Sequence, residues 1–315
     1  MTSAPHWHVA VGVLQDQTGS VLITQRDITR HQGGCWEFPG GKIEPGESVL
    51  DGLFRELDEE LGVTLTQARP LIRIPFEYPD CRVTLAVFCV QTWQGQPYGR
   101  ENQPMRWCPV SALDIQTFPV ANVPIINALK LPPAYAITPD CGPREQWPGW
   151  LDRLESMLER GAQLVQFRVS LPPGEQAELA QLALNYCHRT NTKLLINRNI
   201  DLAVKIGADG VHLSAAQLET LSQRPLPDSA WVAASCHCSA ELAAAARLGA
   251  DFGVLSPVHA TSSHPDARPI GWAGFGRLAA KAPFPLYALG GMRTKDEAKA
   301  RQLGGQGVAG ISGFG

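Results

Sequence analysis

Apolar and polar positions follow two different rhythms along the chain, and the change falls near Leu131-Pro132-Pro133. Before it, short apolar runs at residues 9–14, 21–25, 71–76 and 83–93, several rich in β-branched residues, predict strands. Between the second and third of these runs, Val49, Leu53, Leu57 and Leu61 recur every fourth position, joined by Leu50 and Phe54. That spacing predicts an amphipathic helix with one apolar stripe. Ser48 suits its N-cap and Gly62 its C-terminal stop. A second helical pattern begins near Val123 and runs into the proline pair, which punctuates the chain as a domain boundary would.

After the boundary, strand-like runs at 134–138, 163–168, 193–198, 210–213, 231–236, 252–256, 285–289 and 307–312 alternate with mostly helical stretches such as 175–188, 240–248 and 295–303. Buried parallel strands read as continuous apolar segments, and each needs a crossover to the next. Eight such repeats predict a parallel (β/α)8 barrel of the TIM type. The expectation is therefore two domains: residues 1–131 of mixed α/β and α+β character, and a barrel over residues 134–315.

Composition narrows the function. The chain has 315 residues, 44% of them hydrophobic, enough for two sizeable cores. A formal net charge of -3 gives no basic footprint for a nucleic-acid polymer, so a nucleotide partner is expected to be small and free. No apolar run is long enough to span a bilayer, and the amino terminus lacks the regions of a signal peptide, so a cytoplasmic location without a membrane role is expected. The eight cysteines then read as thiols, and Cys236-His237-Cys238 lacks zinc-finger spacing.

The sharpest chemical signal is residues 41–63, GKIEPGESVLDGLFRELDEELGV. On the predicted helix Glu56, Glu59 and Glu60 stand at i, i+3 and i+4 and share one face. Like charges so placed destabilise a helix unless a cation sits among them. Mg2+ suits the part, because it takes oxygen ligands and is commonly shared between carboxylates and substrate phosphates; Mn2+ is an alternative. Arg55, with its rigid fork, is expected to hold Glu47 or a neighbouring carboxylate rather than substrate. Gly41, Glu47, Arg55-Glu56, Glu59-Glu60 and Gly62 together fill every fixed position of the Nudix box, and the stretch is identified as a member of that family.

Beyond the box, the first domain resembles the MutT-type hydrolases that destroy 8-oxo-dGTP. Three segments carry the likeness: Trp36-Glu37-Phe38-Pro39-Gly40-Gly41-Lys42, Gly99-Arg100-Glu101-Asn102-Gln103-Pro104 and Phe118-Pro119-Val120-Ala121-Asn122. The resemblance implies an α/β/α sandwich and hydrolysis of an oxidised purine nucleoside triphosphate to monophosphate and pyrophosphate. It implies metal binding by Gly40, Glu56, Glu59, Glu60 and Glu101, with Glu56, Glu59 and Glu101 as catalytic groups and Glu56 or Glu101 as base. Substrate would meet Arg26, His31, Glu37, Phe38, Pro39, Gly40, Tyr78 and Asn122, the last reading the base through its amide.

The second domain resembles thiamine-phosphate synthase and its thiazole-tautomerase relatives, through Gly207-Ala208-Asp209-Gly210-Val211-His212-Leu213, Gly249-Ala250-Asp251, Ser256-Pro257-Val258 and Gly290-Gly291. Departures from the synthase pattern are pointed: its lysine is Ser170 here, and its two metal-binding aspartates fall at Arg198 and Gln217. The phosphate end survives in Thr261, Ser263, Gly290, Gly291 and Ser312, beside Arg168, Asn197, Ser235 and His237. The resemblance thus implies a degenerate barrel that binds a phosphorylated thiazole or thiamine ligand without synthase chemistry. A second reading has the Nudix domain clear pyrophosphorylated thiamine precursors, with the barrel binding or tautomerising thiazole phosphate.

Overall fold

A computed structural model describes residues 4–29, 32–261 and 268–311, and the chain divides into two compact units, Met1–Lys130 and Leu131–Gly315. In the first unit the order is β1 (His6–Leu14), β2 (Ser20–Gln25), β3 (Trp36–Glu37), β4 (Gly40–Lys42), α1 (Val49–Leu61), β5 (Thr64–Glu77), β6 (Arg82–Gln94), β7 (Met105–Pro109) and α2 (Val123–Lys130). One mixed sheet has the order β4-β1-β6-β5, with β1 parallel to β6 and antiparallel to β4; a smaller sheet has the order β3-β2-β7.

The two-residue period of β1 decides where the helices go. Ala10 and Leu14 join the cluster of Leu53, Leu57 and Leu61 from α1, whereas Val11 and Val13 join that of Ile125 and Ile126 from α2. Opposite faces of the sheet thus bury opposite helices, which makes the sandwich. Gly12 lies on the α1 face because a Cβ there would come within 2.5 Å of Leu57 Cδ1. Leu50 and Phe54 depart from the expected stripe: they are 44% and 36% exposed, since each adjoins a stripe position in sequence and is therefore turned about 100° from it. Strand β5 starts at Thr64, seven residues before the expected run, because pairing with β6 extends it through polar positions. The short β3 and β4 and the mostly exposed β7 carry too little apolar pattern to be read from sequence.

The second unit runs β8 (Ala134–Ile137), α3 (Trp147–Glu159), β9 (Leu164–Phe167), α4 (Pro173–Arg189), β10 (Lys193–Asn197), α5 (Ile200–Ile206), β11 (Gly210–Leu213), α6 (Ala215–Thr220), β12 (Trp231–Cys236), α7 (Ser239–Leu248), β13 (Phe252–Leu255), α8 (Gly271–Ala279), β14 (Leu286–Leu289), α9 (Glu297–Gln302) and β15 (Gly307–Gly310). All neighbouring strands are parallel and the sheet closes, β15 onto β8 and β8 onto β9. Tyr135, Phe252 and Tyr287 fill the interior with ring centroids 5.4–5.8 Å apart.

The glycine-rich motifs have a structural cause that recurs around the barrel. Gly161, Gly207, Gly249 and Gly304 all adopt positive φ just after α3, α5, α7 and α9. The next residue donates its N–H to the carbonyl five positions back, as Ala208 does to Ala203 at 2.9 Å and Ala250 to Ala245 at 3.0 Å. In Asp209 and Asp251 the third residue then stitches the turn to the neighbouring strand twice. Asp209 N–H donates to Leu194 O at 3.1 Å while its carboxylate accepts the Leu194 N–H at 2.9 Å. Asp251 does the same with Val232 at 2.8 and 2.7 Å.

Burial opposes ionisation of Asp209, but the Leu194 N–H, Lys193 and His188 prevail and hold its carboxyl below the usual value. A depressed carboxyl stabilises the fold above its unfolded value of about 3.9, and that stabilisation is lost as pH falls through the folded value. Asp209→Ala is expected to lower stability by about 1–3 kcal/mol at neutral pH, by stranding the Leu194 N–H. Denaturant unfolding at pH 7 and pH 3 should show the gap between variant and parent narrowing in acid.

Candidate functional sites

Local sequence builds the carboxylate face of α1. Ser48 caps it by accepting the Asp51 N–H at 3.2 Å, and Gly62 ends it at φ 66° with its N–H on Asp58 O. Arg55 lies between the acidic groups: its Nε and Nη2 grip the two Glu47 oxygens at 2.9 and 3.0 Å, Nη1 reaches Glu56 at 2.9 Å and Glu59 at 3.1 Å, and Nη2 also donates to Lys42 O. The guanidinium hydrogen bonds pull the Glu47 carboxyl below its ordinary value and raise that of Arg55 further. Among the described residues no group of three His, Cys, Asp or Glu side chains converges into a ready metal cage. Arg55 is the cation that Glu47, Glu56 and Glu59 share.

Strand β4 brings the glycine loop onto this face. Gly40 N–H donates to Glu60 at 2.9 Å, and φ 140° with Ala10 O only 2.2 Å from any Cβ restricts the position to glycine. A Cβ on Gly41 would fall 2.1 Å from Glu56 Oε2, so loop and helix carboxylate are in direct apposition. Burial pushes the Glu60 carboxyl up to about 8; the Gly40 N–H opposes this, and the charges of Glu37, Glu56 and Glu101 add to it. Four of the expected acidic residues therefore act on one another.

Glu101 arrives from a separate loop, and residues beside it in the chain, to which sequence assigned no role, deliver it. Arg100 N–H and Gln103 Nε2 both donate to Glu60 O at 2.9 Å, Tyr98 N–H donates to Leu61 O, and Arg100 Nη1 donates to Asp58 O. The Glu60 and Leu61 carbonyls are ones a helix C-terminus leaves unpaired, whereas Asp58 O also accepts the Gly62 N–H. Gln103 Oε1 then accepts the Glu101 N–H at 3.0 Å. The Gly99–Pro104 segment held the signal, in residues flanking the carboxylate.

Next to Gly40, Phe38 is buried with Phe118 in the core that β1 shares with α2, and Tyr78 is half-buried at its edge. Arg26 pairs with Glu37, Phe38 packs 5.6 Å from Phe118, and Tyr78 packs 4.7 Å from Phe76. Burial raises the Tyr78 hydroxyl, while Arg26 and the Ala121 backbone pull it down, so these groups face one another. Pro39 O accepts the Gly12 N–H at 2.9 Å, which seats the loop on β1. Asn122 anchors its backbone N–H on Pro119 O at 2.8 Å, and its half-buried carboxamide makes no hydrogen bond among the described residues. His31 lies outside the described residues.

In the barrel, Gly290 and Gly291, at φ 104° and 68°, bring the end of β14 against Pro257 to His259, next to Thr261. Ser263 and Ser312 lie outside the described residues. His237 Nδ1 is anchored at 2.8 Å from Ser256 O, at the ends of β12 and β13. Ser235 bonds His212 Nε2 at 2.8 Å, and His212 Nδ1 meets Tyr135 Oη at 3.1 Å. Burial, with the nearby charges of Arg168 and Arg198, lowers His212 to about 3. Arg168 and Asn197 line a separate cavity with Ser170, Arg198 and Gln217. Among the described residues no helix is long and apolar enough to cross a membrane.

Comparison with known proteins divides at the same place as the fold. The NUDIX domain family matches residues 10–128, and the thiamine monophosphate synthase family matches residues 134–314. The 8-oxo-dGTP diphosphatase of Escherichia coli K12 is 38% identical over 122 residues, which is 39% of this chain and 95% of that protein. An Aquifex aeolicus protein of the thiamine-phosphate synthase type is 34% identical over 187 residues, 59% of this chain and 99% of its own length. A solved MutT structure from work on Aliivibrio salmonicida and Vibrio cholerae is 33% identical, covers 39% of this chain and 96% of its own, and has a TM-score of 0.34. The chain belongs to the Nudix hydrolase family through its N-terminal part and to the thiamine monophosphate synthase family through its C-terminal part.

Proposed function

We propose that residues 1–131 form a nucleotide-pool sanitation enzyme of the cytoplasm, which hydrolyses 8-oxo-dGTP and related oxidised purine nucleoside triphosphates to monophosphate and pyrophosphate and so protects DNA replication. The observation that carries this reading is the segment Glu37–Gly40. It carries Glu37, which pairs with Arg26, and Gly40, which bonds Glu60, so one loop joins the proposed nucleotide contacts to the carboxylate face. The 38% identity to the Escherichia coli 8-oxo-dGTP diphosphatase supports the substrate class.

The donors facing Gly40 are all oxygens, which suits Mg2+ or Mn2+, and the missing Cβ of Gly41 leaves room for the Glu56 carboxylate beside the loop. Gly40 O, Glu56, Glu59, Glu60 and Glu101 are the proposed metal ligands. When bound, the metal supplies charge neutralisation on the phosphate oxygens. Arg55 fixes Glu47, Glu56 and Glu59 in place. Glu56 or Glu101 takes the proton from the attacking water. Arg26, Glu37, Phe38 and Tyr78 are assigned to the base and its surroundings, and the unengaged Asn122 amide reads the base edge with donor and acceptor together. His31 is assigned to the nucleotide on resemblance alone.

For residues 134–315 we propose a binding rather than a synthase role, with Thr261, Ser263, Gly290, Gly291 and Ser312 holding a phosphorylated thiazole or thiamine ligand, and Ser235 and His237 beside it. The family match over residues 134–314 supports the ligand class, and Ser170, Arg198 and Gln217 in place of the synthase lysine and aspartates argue against the synthase reaction.

Three outcomes are expected. Glu60→Gln should lower turnover at least about a hundredfold while the protein stays folded, because a neutral amide lacks the charge the metal needs; hydrolysis assays across a Mg2+ and Mn2+ titration check this. In chelator, a Glu60 carboxyl near 8 in the folded state and about 4.3 unfolded binds its proton more tightly when folded. Stability of the parent should therefore fall as pH rises from about 5 to 8, and Glu60→Gln should flatten that slope in thermal unfolding. Asn122→Ala should reduce the preference for 8-oxo-dGTP over dGTP by about 1–3 kcal/mol, read as the ratio of the two kcat/KM values. An unchanged ratio, with hydrolysis of pyrophosphorylated thiamine precursors, would favour the second reading.

A further inference from the structure

Residues 98–104 cross the C-terminal end of α1 and are tied down on both sides of Glu101. Tyr98 N–H donates to Leu61 O at 3.1 Å, and Pro104 O accepts the Gln25 N–H of β2 at 2.8 Å. The Tyr98 ring packs on Gly62, where a Cβ would come within 2.6 Å of Tyr98 Cε1, so the glycine that stops the helix also seats the loop. Between these anchors Asn102 N–H donates to Gly99 O at 3.1 Å and closes a turn with Arg100 and Glu101 at its centre. Asn102 stands at φ 60°, a conformation that asparagine tolerates better than most residues with a Cβ. A Cβ on Gly99 would fall 2.4 Å from Gln103 O, so the turn needs that glycine as well.

One side chain fastens this turn to the helix. Gln103 Nε2 donates to Glu60 O at 2.9 Å, and Gln103 Oε1 accepts the Glu101 N–H at 3.0 Å. A carbonyl only accepts and an amide N–H only donates, so both ends of the Gln103 carboxamide are committed and its orientation is fixed. Glu60 O takes a second donor, the Arg100 N–H at 2.9 Å, and a carbonyl has two lone pairs to give. Glu60 thus serves two loops: its carboxylate accepts the Gly40 N–H, and its carbonyl holds the turn that carries Glu101. Glu101 is exposed, and its charge acts on the Glu60 carboxyl, so the turn delivers one carboxylate within electrostatic reach of the other.

We infer that Gln103 is the positioning residue for Glu101: by bridging the Glu60 carbonyl and the Glu101 N–H, it sets where the Glu101 carboxylate stands relative to Glu60. The inference rests on the reading of both carboxylates as metal ligands. Gln103 carries no charge and bonds only backbone, so replacing it leaves the carboxylates of the site intact and alters the placement of one of them. Without it the Glu101 N–H loses its partner, and the turn keeps only the backbone bonds of its neighbours Arg100 and Asn102. Groups that orient a metal ligand from behind are commonly worth about 10–100-fold in metal affinity or activity.

Titration of the full chain with Mn2+ in the absence of nucleotide, with free Mn2+ read by electron paramagnetic resonance, tests it. Glu101→Gln should weaken binding, and Gln103→Ala should weaken it about tenfold. In the Glu101→Gln background Gln103→Ala should add nothing, a non-additivity that general loosening of the protein would not give. Gln103→Met, of similar length but without the amide, should match Gln103→Ala, and thermal unfolding confirms that each variant is folded. With 8-oxo-dGTP, Gln103→Ala should lower kcat and leave KM little changed. Mn2+ binding that Glu60→Gln removes and Gln103→Ala leaves intact, or additive effects of the Gln103 and Glu101 changes, would overturn this role and leave the metal reading standing. A parent that binds no Mn2+ would overturn both. The expected Mn2+ cycle without hydrolysis of 8-oxo-dGTP would support the role of Gln103 and count against the substrate reading alone.

Discussion

The grip of Arg55 on Glu47, Glu56 and Glu59 is the interaction on which the N-terminal site depends. Glu56 and Glu59 stand one turn apart on α1 and repel, and Arg55 is the cation that both of them and Glu47 meet. The guanidinium supplies that cation and also sets direction, since a planar fork bonded to both Glu47 oxygens admits few orientations. With the helix so held, Gly40 meets Glu60, and the C-terminal carbonyls of α1 receive the loop that carries Glu101. The distant loop is thus registered on the helix by the backbone bonds of Tyr98 and Arg100, and the glycine loop through the Glu60 side chain.

The barrel is built on a different constraint, the need to turn from a helix into a buried parallel strand in three residues. A glycine at positive φ ends the helix, the next N–H reaches back five residues, and the third residue ties the turn to the neighbouring strand. Asp209 and Asp251 perform this tie with backbone and carboxylate together. Residues that resemble a family signature are here explained by chain reversal, and they leave the strand ends free to carry ligand groups.

Those strand ends show a change of electrostatic sign. Where the resemblance to the synthase implies carboxylates, the chain has Arg198 and Gln217, and the two substitutions meet in one hydrogen bond. Arg168 and Arg198 line the cavity, and burial first, with their charges added, holds His212 well below its usual value. The N-terminal site gathers carboxylates around Arg55, whereas the barrel cavity has Arg168 and Arg198 in its lining beside Asp201.

Much of this was legible in the chain itself. Periodicity gave α1 its 13 residues between Ser48 and Gly62, and it placed the eight barrel strands, because burial and capping are recorded in local residue type. That Arg55 holds Glu47 or a neighbouring carboxylate followed from its chemistry, and the fold brings it to Glu47, Glu56 and Glu59. Tertiary structure decided what has no local record. Leu50 and Phe54 are apolar yet exposed, since only the packing of α1 on β1 says which stripe is buried. The short β3 and β4 exist because neighbouring strands pair with them, and their own two or three residues carry no period. Gln103 lies in a segment that the resemblance marks and Gln217 at a position where it implies an aspartate, but their hydrogen bonds go to carbonyls 43 and 19 positions away that folding brings to them. Local pattern fixes an element's existence, whereas which distant group a side chain meets is set only when the elements are packed.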